Sequence, residues 1–416
     1  MRVAIHTRSL RPPLTGIGHF VHRLIDAMLP MLSPDDQLLS FNGWWIEQLN
    51  HDFLARSQTR TLGGVAADKA IVILRQVSLV RKGAHALQAD LFHRVAERNF
   101  DVFHAVNYVP PGRFDKPVLP IIYDLSHLRF PQTHPKDRVE WLEKQLKLVA
   151  DVPHVQTISE FSKSEIVTLL GMPANRIHVT YPAPGAVFRP EREMDDDSLA
   201  RYGVEPFQYF LVVGTREPRK NFKTVAEAYA ALPVSTQARY PLLWVGPSGW
   251  GDIALSPAVK RAKQLGRIRI VGYVPDRDLA VLYRNTILFV MPSVYEGFGM
   301  PVVEAMACDA RVALSKIAVF EEIAGSYARY VDPMDVEGWR KAIEDAIDAR
   351  PQWPRRGPPP DLTRFSWRAS AAATLTYIAV SPGPNVITEV VAFLEPTRKV
   401  SDPPRPFSEP RSLVRV

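Results

Sequence analysis

The sequence predicts an α/β protein built on two parallel sheets, each wrapped by helices. Short β-rich runs alternate with helical patterns along most of the chain, these runs form two series, and a proline-rich stretch with an acidic run divides them. The first series reads Val3–Ile5, Leu38–Phe41, Val102–His104, Leu119–Tyr123, Val155–Ile158 and Ile177–Tyr181. The second reads Tyr209–Val213, Leu242–Val245, Ile268–Val271, Leu288–Met291, Val312–Leu314 and Tyr330–Val331. Helix starts punctuate both: Ser159 ahead of Glu160 and Phe161, Asp276 ahead of the apolar positions Leu279, Leu282 and Tyr283, and Pro301 at a first helical position. Between the series, 182–207 carries Pro182, Pro184, Pro190, Pro206 and Asp195-Asp196-Asp197, the pattern of a linker. The expected organisation is a first domain over 1–181, the linker 182–207 and a second domain over 208–350. A proline-rich segment and short helix follow over 351–378, then a poorly ordered tail over 379–416.

Composition is ordinary for a globular chain: 416 residues, 46% hydrophobic and 23% charged. That excludes collagen-like, disordered and disulfide-rich secreted classes. The only cysteine, Cys308, can form no internal disulfide and fits a reducing compartment. No export signal precedes the first strand, and the uncharged stretch 369–388 contains Pro382, Gly383 and Pro384, a poor membrane span. A cytoplasmic location is expected. Net charge is +7, concentrated toward the ends, which suits an anionic membrane surface or a phosphorylated ligand. Zinc-finger spacing, dense basic runs and RNA-binding aromatic signatures are missing, so nucleic acid is not an expected partner. The histidines show no metal-ligand spacing such as HExxH, so no metal is expected.

In open α/β sheets ligands bind outside the carboxyl ends of the strands, so a cleft between the two domains is the expected site. The most informative segment there is Tyr295-Glu296-Gly297-Phe298-Gly299-Met300-Pro301-Val302-Val303-Glu304. Two glycines let backbone N–H groups approach a ligand, Pro301 opens a helix, and Glu304 is expected in its first turn. A helix N-terminus favours phosphate, while a carboxylate accepts hydrogen bonds from a vicinal diol. Phosphate plus diol indicates a nucleotide. For either glutamate alone, a cap or helix-dipole role is the ordinary explanation; the pair with glycines between them is not.

This segment resembles the E-x7-E motif of the family 4 retaining glycosyltransferases, which have the GT-B fold of two Rossmann-like domains facing across a cleft. Gly214-Thr215-Arg216-Glu217-Pro218-Arg219-Lys220-Asn221 is similar to the family's strand-end segment. The resemblance gives Arg219 and Lys220 the role of holding the donor diphosphate, where two cations neutralise charge growing on the leaving group. Thr15-Gly16-Ile17-Gly18-His19-Phe20 is similar to the family's N-terminal glycine loop, although an ordinary tight turn explains that spacing as well. The segments 101–108, 124–131 and 157–162 and Phe365-Ser366-Trp367 extend the resemblance over about residues 1–378. It implies catalytic roles for Arg219, Lys220, Glu296 and Tyr123. Donor binding falls to Gly214, Arg219, Lys220, Glu296, Gly297, Phe298, Gly299 and Glu304, and an acceptor or phosphate loop to Gly16, Gly18, His104, Asp124 and His127.

Three departures stand out. Tyr123-Asp124 replaces the family's His-Asp, whose histidine lies near the transferred sugar; Cys308-Asp309 replaces Cys-Gly; and Pro182-Ala183-Pro184-Gly185 replaces Asn-Gly. For His19 and His104, a hydrogen-bonded structural histidine competes with an acceptor-side role. Residues 71–95 read as an amphipathic helix with Ile73, Val77, Val80, Ala84, Leu87 and Leu91 on one face. A core-packing helix is the ordinary reading; the alternative uses Arg75, Arg81 and Lys82, with Trp44 and Trp45, to sit on anionic membrane.

The expected activity is transfer of a hexosyl unit from a nucleotide-diphosphate sugar to a saccharide or lipid-linked saccharide, with no cofactor and no protein nucleophile. The resemblance is strongest to mannosyl- and rhamnosyltransferases of surface-polysaccharide assembly, which makes GDP-mannose the expected donor. The alternative is a nucleotide-sugar-binding subunit with little turnover. A nicotinamide oxidoreductase rests only on Gly16-x-Gly18 and leaves Glu296 and Glu304 unexplained.

Overall fold

The computed structural model describes residues 1–10, 14–41, 46–58, 92, 94, 98–107, 116–150, 152–190, 196–250, 255–349 and 361–380. Outside them lie Trp44, Trp45, the expected helix at 71–95 except for residues 92 and 94, with Arg75, Arg81 and Lys82, the proline-rich run 351–360 and the tail from Ser381.

Two sheets are present. The first contains β1 (Arg2–His6), β2 (Gln37–Phe41), β3 (Ile46–Gln48), β4 (Val102–Ala105), β5 (Val118–Ile122), β6 (Val155–Thr157) and β7 (Ile177–Val179), in the order β3-β2-β1-β4-β5-β6-β7. The second contains β8 (Phe210–Val213), β9 (Leu242–Val245), β10 (Ile268–Gly272), β11 (Leu288–Met291), β12 (Val312–Ser315) and β13 (Arg329–Val331), in the order β10-β9-β8-β11-β12-β13. All paired strands are parallel except β2 and β3, where Leu39 faces Gln48. The central strands are legible as apolar runs because helices bury both faces of a parallel sheet. The sequence reading misses β3, which is short, polar and at the sheet edge.

The helices, in chain order, begin in the first domain with α1 (Gly16–Met28), α2 (His51–Gln58), α3 (Ser126–Arg129), α4 (Lys136–Val149) and α5 (Glu160–Leu170). They continue with α6 (Asp196–Arg201), α7 (Phe222–Ala230), α8 (Val234–Arg239), α9 (Pro257–Gln264), α10 (Asp276–Asn285) and α11 (Met300–Ala307). The last are α12 (Ala318–Ala324), α13 (Val336–Asp348) and α14 (Trp367–Val380). Ser159 caps α5 as expected, its Oγ accepting from the Ser162 N–H at 2.9 Å. Asp276 does not cap α10: it is the first helical residue, Pro275 precedes it, and its carboxylate accepts from Arg23 instead.

Part of the expected linker is structured and tied to the second domain. Around α6, Ser198, Arg201 and Tyr202 all bond the buried Asp278 carboxylate of α10, Tyr202 at 2.7 Å. The last helix returns to the first domain: α14 packs on α1, Gln156 Nε2 donates to Thr374 Oγ1 at 2.9 Å, and the Tyr377 and His178 rings stack with centroids 4.0 Å apart. Among the described residues, no helix is long and apolar enough to cross a membrane.

In each sheet the winding reverses direction once, between β1 and β4 in the first and between β8 and β11 in the second. Those reversals open crevices at the carboxyl ends of the strands.

Candidate active site

The loops leaving β8 and β11 meet at the second crevice. After Val213, Gly214 leads into a 3-10 turn over Pro218–Lys220. Asn221 ends that turn in the left-handed region (φ 50°), held by its amide, which donates to the carbonyls of Pro292 and Pro333 at 3.0 and 2.6 Å. The Val294 N–H donates to the Arg219 carbonyl at 3.0 Å, so the two loops are tied along their backbones. Glu296 is consequently brought between the two cations. Lys220 Nζ lies 2.7 Å from Glu296 Oε1 and Arg219 Nη1 2.8 Å from Glu296 Oε2, while Arg219 also donates to the Tyr295 carbonyl at 2.7 Å. Burial would push the Glu296 carboxyl up, but Arg219 and Lys220 outweigh it and hold the group down at about 2. Glu296 is therefore a carboxylate throughout the physiological range. Burial pushes the neighbouring Glu217 up, against the opposing pull of Arg219 and Lys220.

A second cluster surrounds Glu304, one turn inside α11. Its Oε1 lies 3.7 Å from Arg23 Nη1 of α1, its Oε2 accepts from the Tyr283 hydroxyl at 3.5 Å, and Arg23 Nη2 donates to Asp276 at 2.6 Å. Burial raises the Glu304 carboxyl to about 8, with Arg23 opposing and Asp276 adding to the rise. A third cluster belongs to the loop after β5. Asp124 accepts from the N–H and hydroxyl of Ser126 at 3.0 and 2.7 Å, and His134 Nε2 lies 3.0 Å from Ser126 Oγ. His127 is buried, and neither ring nitrogen has a hydrogen-bond partner among the described residues. Burial lowers His127, and lowers His134 to about 4 with help from Arg138, so both rings are neutral at pH 7. Asp124 is close enough to Arg219 to help hold its proton. A cavity of about 340 Å³ on the β9–β10 side is lined by Arg216, Phe222, Trp244 and Ser248; Arg219, Lys220, Glu296 and Glu304 are not among its lining residues.

Residues 198–356 match the model of the family described as glycosyl transferases group 1. Over 344 residues, 81% of this chain and 88% of the relative, the sequence is 33% identical to the O-antigen chain mannosyltransferase B of Escherichia coli. The chain belongs to the group 1 glycosyltransferases. Its fold is similar to that of WaaG, a glycosyltransferase involved in lipopolysaccharide biosynthesis, with a TM-score of 0.58 at 13% identity over 89% of this chain and 94% of that one. It is also similar to Anabaena Alr3699/HepE in complex with UDP-glucose, with a TM-score of 0.57 at 17% identity over 89% and 94%. The architecture is GT-B.

In this glycosyltransferase Arg219, Lys220 and Glu296 come together as one ion cluster, and Gly214 sits beside the Lys220 stem, from which a Cβ would be 3.6 Å. Glu304 is brought to a separate set of partners, in the second turn of α11 rather than the first, which weakens a helix-dipole role. The glycines of the loop serve close packing. A Cβ at Gly297 would lie 2.1 Å from the Tyr123 carbonyl of the other domain, and one at Gly299 (φ 103°) 2.8 Å from the Phe320 ring. Gly18 is likewise needed, since a Cβ there would meet the Ser9 carbonyl at 2.5 Å, whereas Gly16 faces open space. Asp124 and His127 lie together beside the cation cluster.

Two expectations are corrected. Tyr123 is not positioned for a sugar: its ring is core, edge-on to Phe20, and its hydroxyl donates to the Val106 carbonyl at 3.0 Å. His104 is fully buried within β4, with Nδ1 3.0 Å from the Leu119 carbonyl, and burial lowers it to about 4, so it is a neutral structural histidine. The Phe298 side chain packs against Tyr181 and Phe365. The sequence reading also missed Arg23, Glu217, and the Tyr295 hydroxyl that accepts from the Leu125 N–H at 3.3 Å across the domain boundary. Glu217 and Tyr295 lie inside the two motifs without a role given to them, whereas no local pattern marks Arg23, which is 253 residues from Asp276.

Proposed function

We propose that this glycosyltransferase moves a mannosyl residue, with retention at the anomeric carbon, from GDP-mannose to a saccharide or lipid-linked saccharide of surface-polysaccharide assembly. The observation that carries the reading is the convergence of Arg219 and Lys220 on Glu296 where the β8 and β11 loops meet. The mannosyl donor is supported by likeness to a mannosyltransferase. Paired cations beside the N-terminus of α11 suit a diphosphate, and their attraction grows as the sugar–phosphate bond breaks. Lys220 and Arg219 then share their charge between Glu296 and the departing phosphate. Held ionised by those cations, Glu296 accepts hydrogen bonds from sugar hydroxyls and does not serve as a general acid. Glu304 accepts from the ribose diol. The departing phosphate takes the proton of the attacking acceptor hydroxyl, so no side-chain nucleophile, metal or cofactor is invoked. Asp124 and neutral His127 face the acceptor and sugar side. A peripheral position at the inner face of the membrane is part of the reading, resting on the basic ends of the chain.

The test is single-turnover transfer from labelled GDP-mannose, with UDP-sugars in parallel, to saccharide acceptors. Lys220→Ala is expected to lower the transfer rate by roughly 10²–10³ while weakening donor binding less, because leaving-group charge is larger in the transition state. Tight donor binding without turnover of the unaltered chain would favour a binding subunit instead. Turnover of UDP-sugars alone would revise the donor.

A further inference from the structure

Arg23 reaches from the first domain into the second. Its Nη2 donates to Asp276 Oδ2 at 2.6 Å and its Nη1 lies 3.7 Å from Glu304 Oε1. The path is built for it: a Cβ on Gly185, in the chain between the domains, would lie 2.6 Å from Nη2, and the Phe188 ring lies 5.8 Å from the guanidinium carbon. The side chain is 15% exposed, and Nη1 is buried with no hydrogen-bond partner among the described residues.

The groups around Glu304 come from three elements. α1 brings Arg23, and also His19, whose Nδ1 is 3.9 Å from Asp276. α10 brings Asp276 and Tyr283, and Cys308 lies just past the end of α11. Among the described residues Arg23 is the cation that reaches within 4 Å of Glu304, while Arg284 of α10 bears on Cys308. Burial and Asp276 both favour the protonated Glu304, which titrates at about 8; Arg23 is the cation that opposes them and makes the carboxylate attainable just above neutral pH. A vicinal diol donates two hydrogen bonds, and a carboxylate accepts both, whereas a protonated carboxyl spends one oxygen as a donor.

We propose that Arg23 is a positioning residue of the donor site, supplied by the opposite domain, which orients the Glu304 carboxyl and favours its ionised form for the ribose diol of a nucleoside diphosphate. The ribose is then read fully only when the two domains are apposed. This rests on the reading of Glu304 as the diol acceptor.

Calorimetric titration of the full chain with UDP, GDP and their 2′-deoxy counterparts between pH 6 and 9 tests it. The unaltered chain should prefer the ribo forms, and affinity should rise with pH as Glu304 ionises near 8. Arg23→Gln should cut the ribo preference about fivefold at pH 7 and move the inflection up by about one pH unit, since a neighbouring cation shifts a carboxyl by roughly that much. Arg23→Lys should restore most of both. If Arg23→Gln leaves preference and inflection unchanged while Glu304→Gln abolishes them, Arg23 is only an interdomain tie and the proposal falls. If Glu304→Gln itself leaves the preference intact, the diol reading of Glu304 falls, and this proposal with it.

Discussion

Glu296 and Glu304 lie eight positions apart on one segment, yet their carboxyls titrate at opposite ends of the scale. Both are poorly exposed; the difference is that Glu296 has two cations within 2.8 Å whereas Glu304 has one at 3.7 Å and a carboxylate, Asp276, bound to that same cation. Residue type and spacing could not separate them, because the balance between desolvation and neighbouring charge is a property of the surroundings. Tyr123 makes the same point from the opposite direction. In sequence it occupies the family's histidine position, but a phenol there reaches past the strand end to the Val106 carbonyl and fills core beside Phe20. Tyr123→Phe should therefore leave the transfer rate within about twofold and lower stability by about 1 kcal/mol, the usual net worth of one such hydrogen bond. Parallel denaturant titration and initial-rate assays check this; a large rate loss at unchanged stability would return Tyr123 to the chemistry.

At the scale of elements, the turn after α11 carries a local strain the sequence announces. Asp309 stands where the family has glycine, and it adopts φ 55°, a left-handed conformation that costs an L residue energy. Its carboxylate accepts from the Tyr327 hydroxyl at 3.2 Å, which offsets part of that cost. Asp309→Gly should raise stability by about 0.5 kcal/mol, and Asp309→Val should lower it well beyond that, because a β-branched residue is poorly tolerated there. Thermal unfolding of the two variants measures the pair. A destabilised glycine variant would mean that the Tyr327 bond outweighs the backbone strain. The strands and the Ser159 cap were readable for a related reason: both act over a few residues wherever the segment sits, whereas the Asp276 carboxylate is drawn to Arg23 of the other domain and does not cap.

At the scale of the whole molecule, the two domains meet through the N-terminus of α5. Glu322 of α12 accepts from the N–H groups of Glu160 and Phe161 at 3.0 and 2.8 Å and from the Tyr181 hydroxyl at 2.9 Å. Beside it, the hydroxyls of Ser159 and Ser162 donate to the Gly297 carbonyl at 2.6 and 3.0 Å, so the loop bearing Glu296 is anchored on the opposite domain. Glu322→Ala leaves helix N–H groups without their acceptor and should cost about 1–2 kcal/mol. It should also loosen the coupling of the domains, splitting the calorimetric unfolding transition. A single unsplit transition at unchanged midpoint would show that the remaining contacts suffice.

The sequence by itself determined the two-sheet α/β architecture and the two short motifs, 214–221 and 296–304, that carry the cation cluster. Each depends on neighbours within about ten positions, where spacing and burial pattern are enough. Only the tertiary structure decided that Arg23 meets Glu304, that Gly297 is small because a backbone carbonyl of the other domain passes 2.1 Å from where a Cβ would stand, that His104 and Tyr123 are spent on the core, and that α14 closes on the first domain. These depend on how two separately legible domains are set against each other, and that arrangement follows from shape and charge complementarity summed over distant segments, which leaves no local period in the chain.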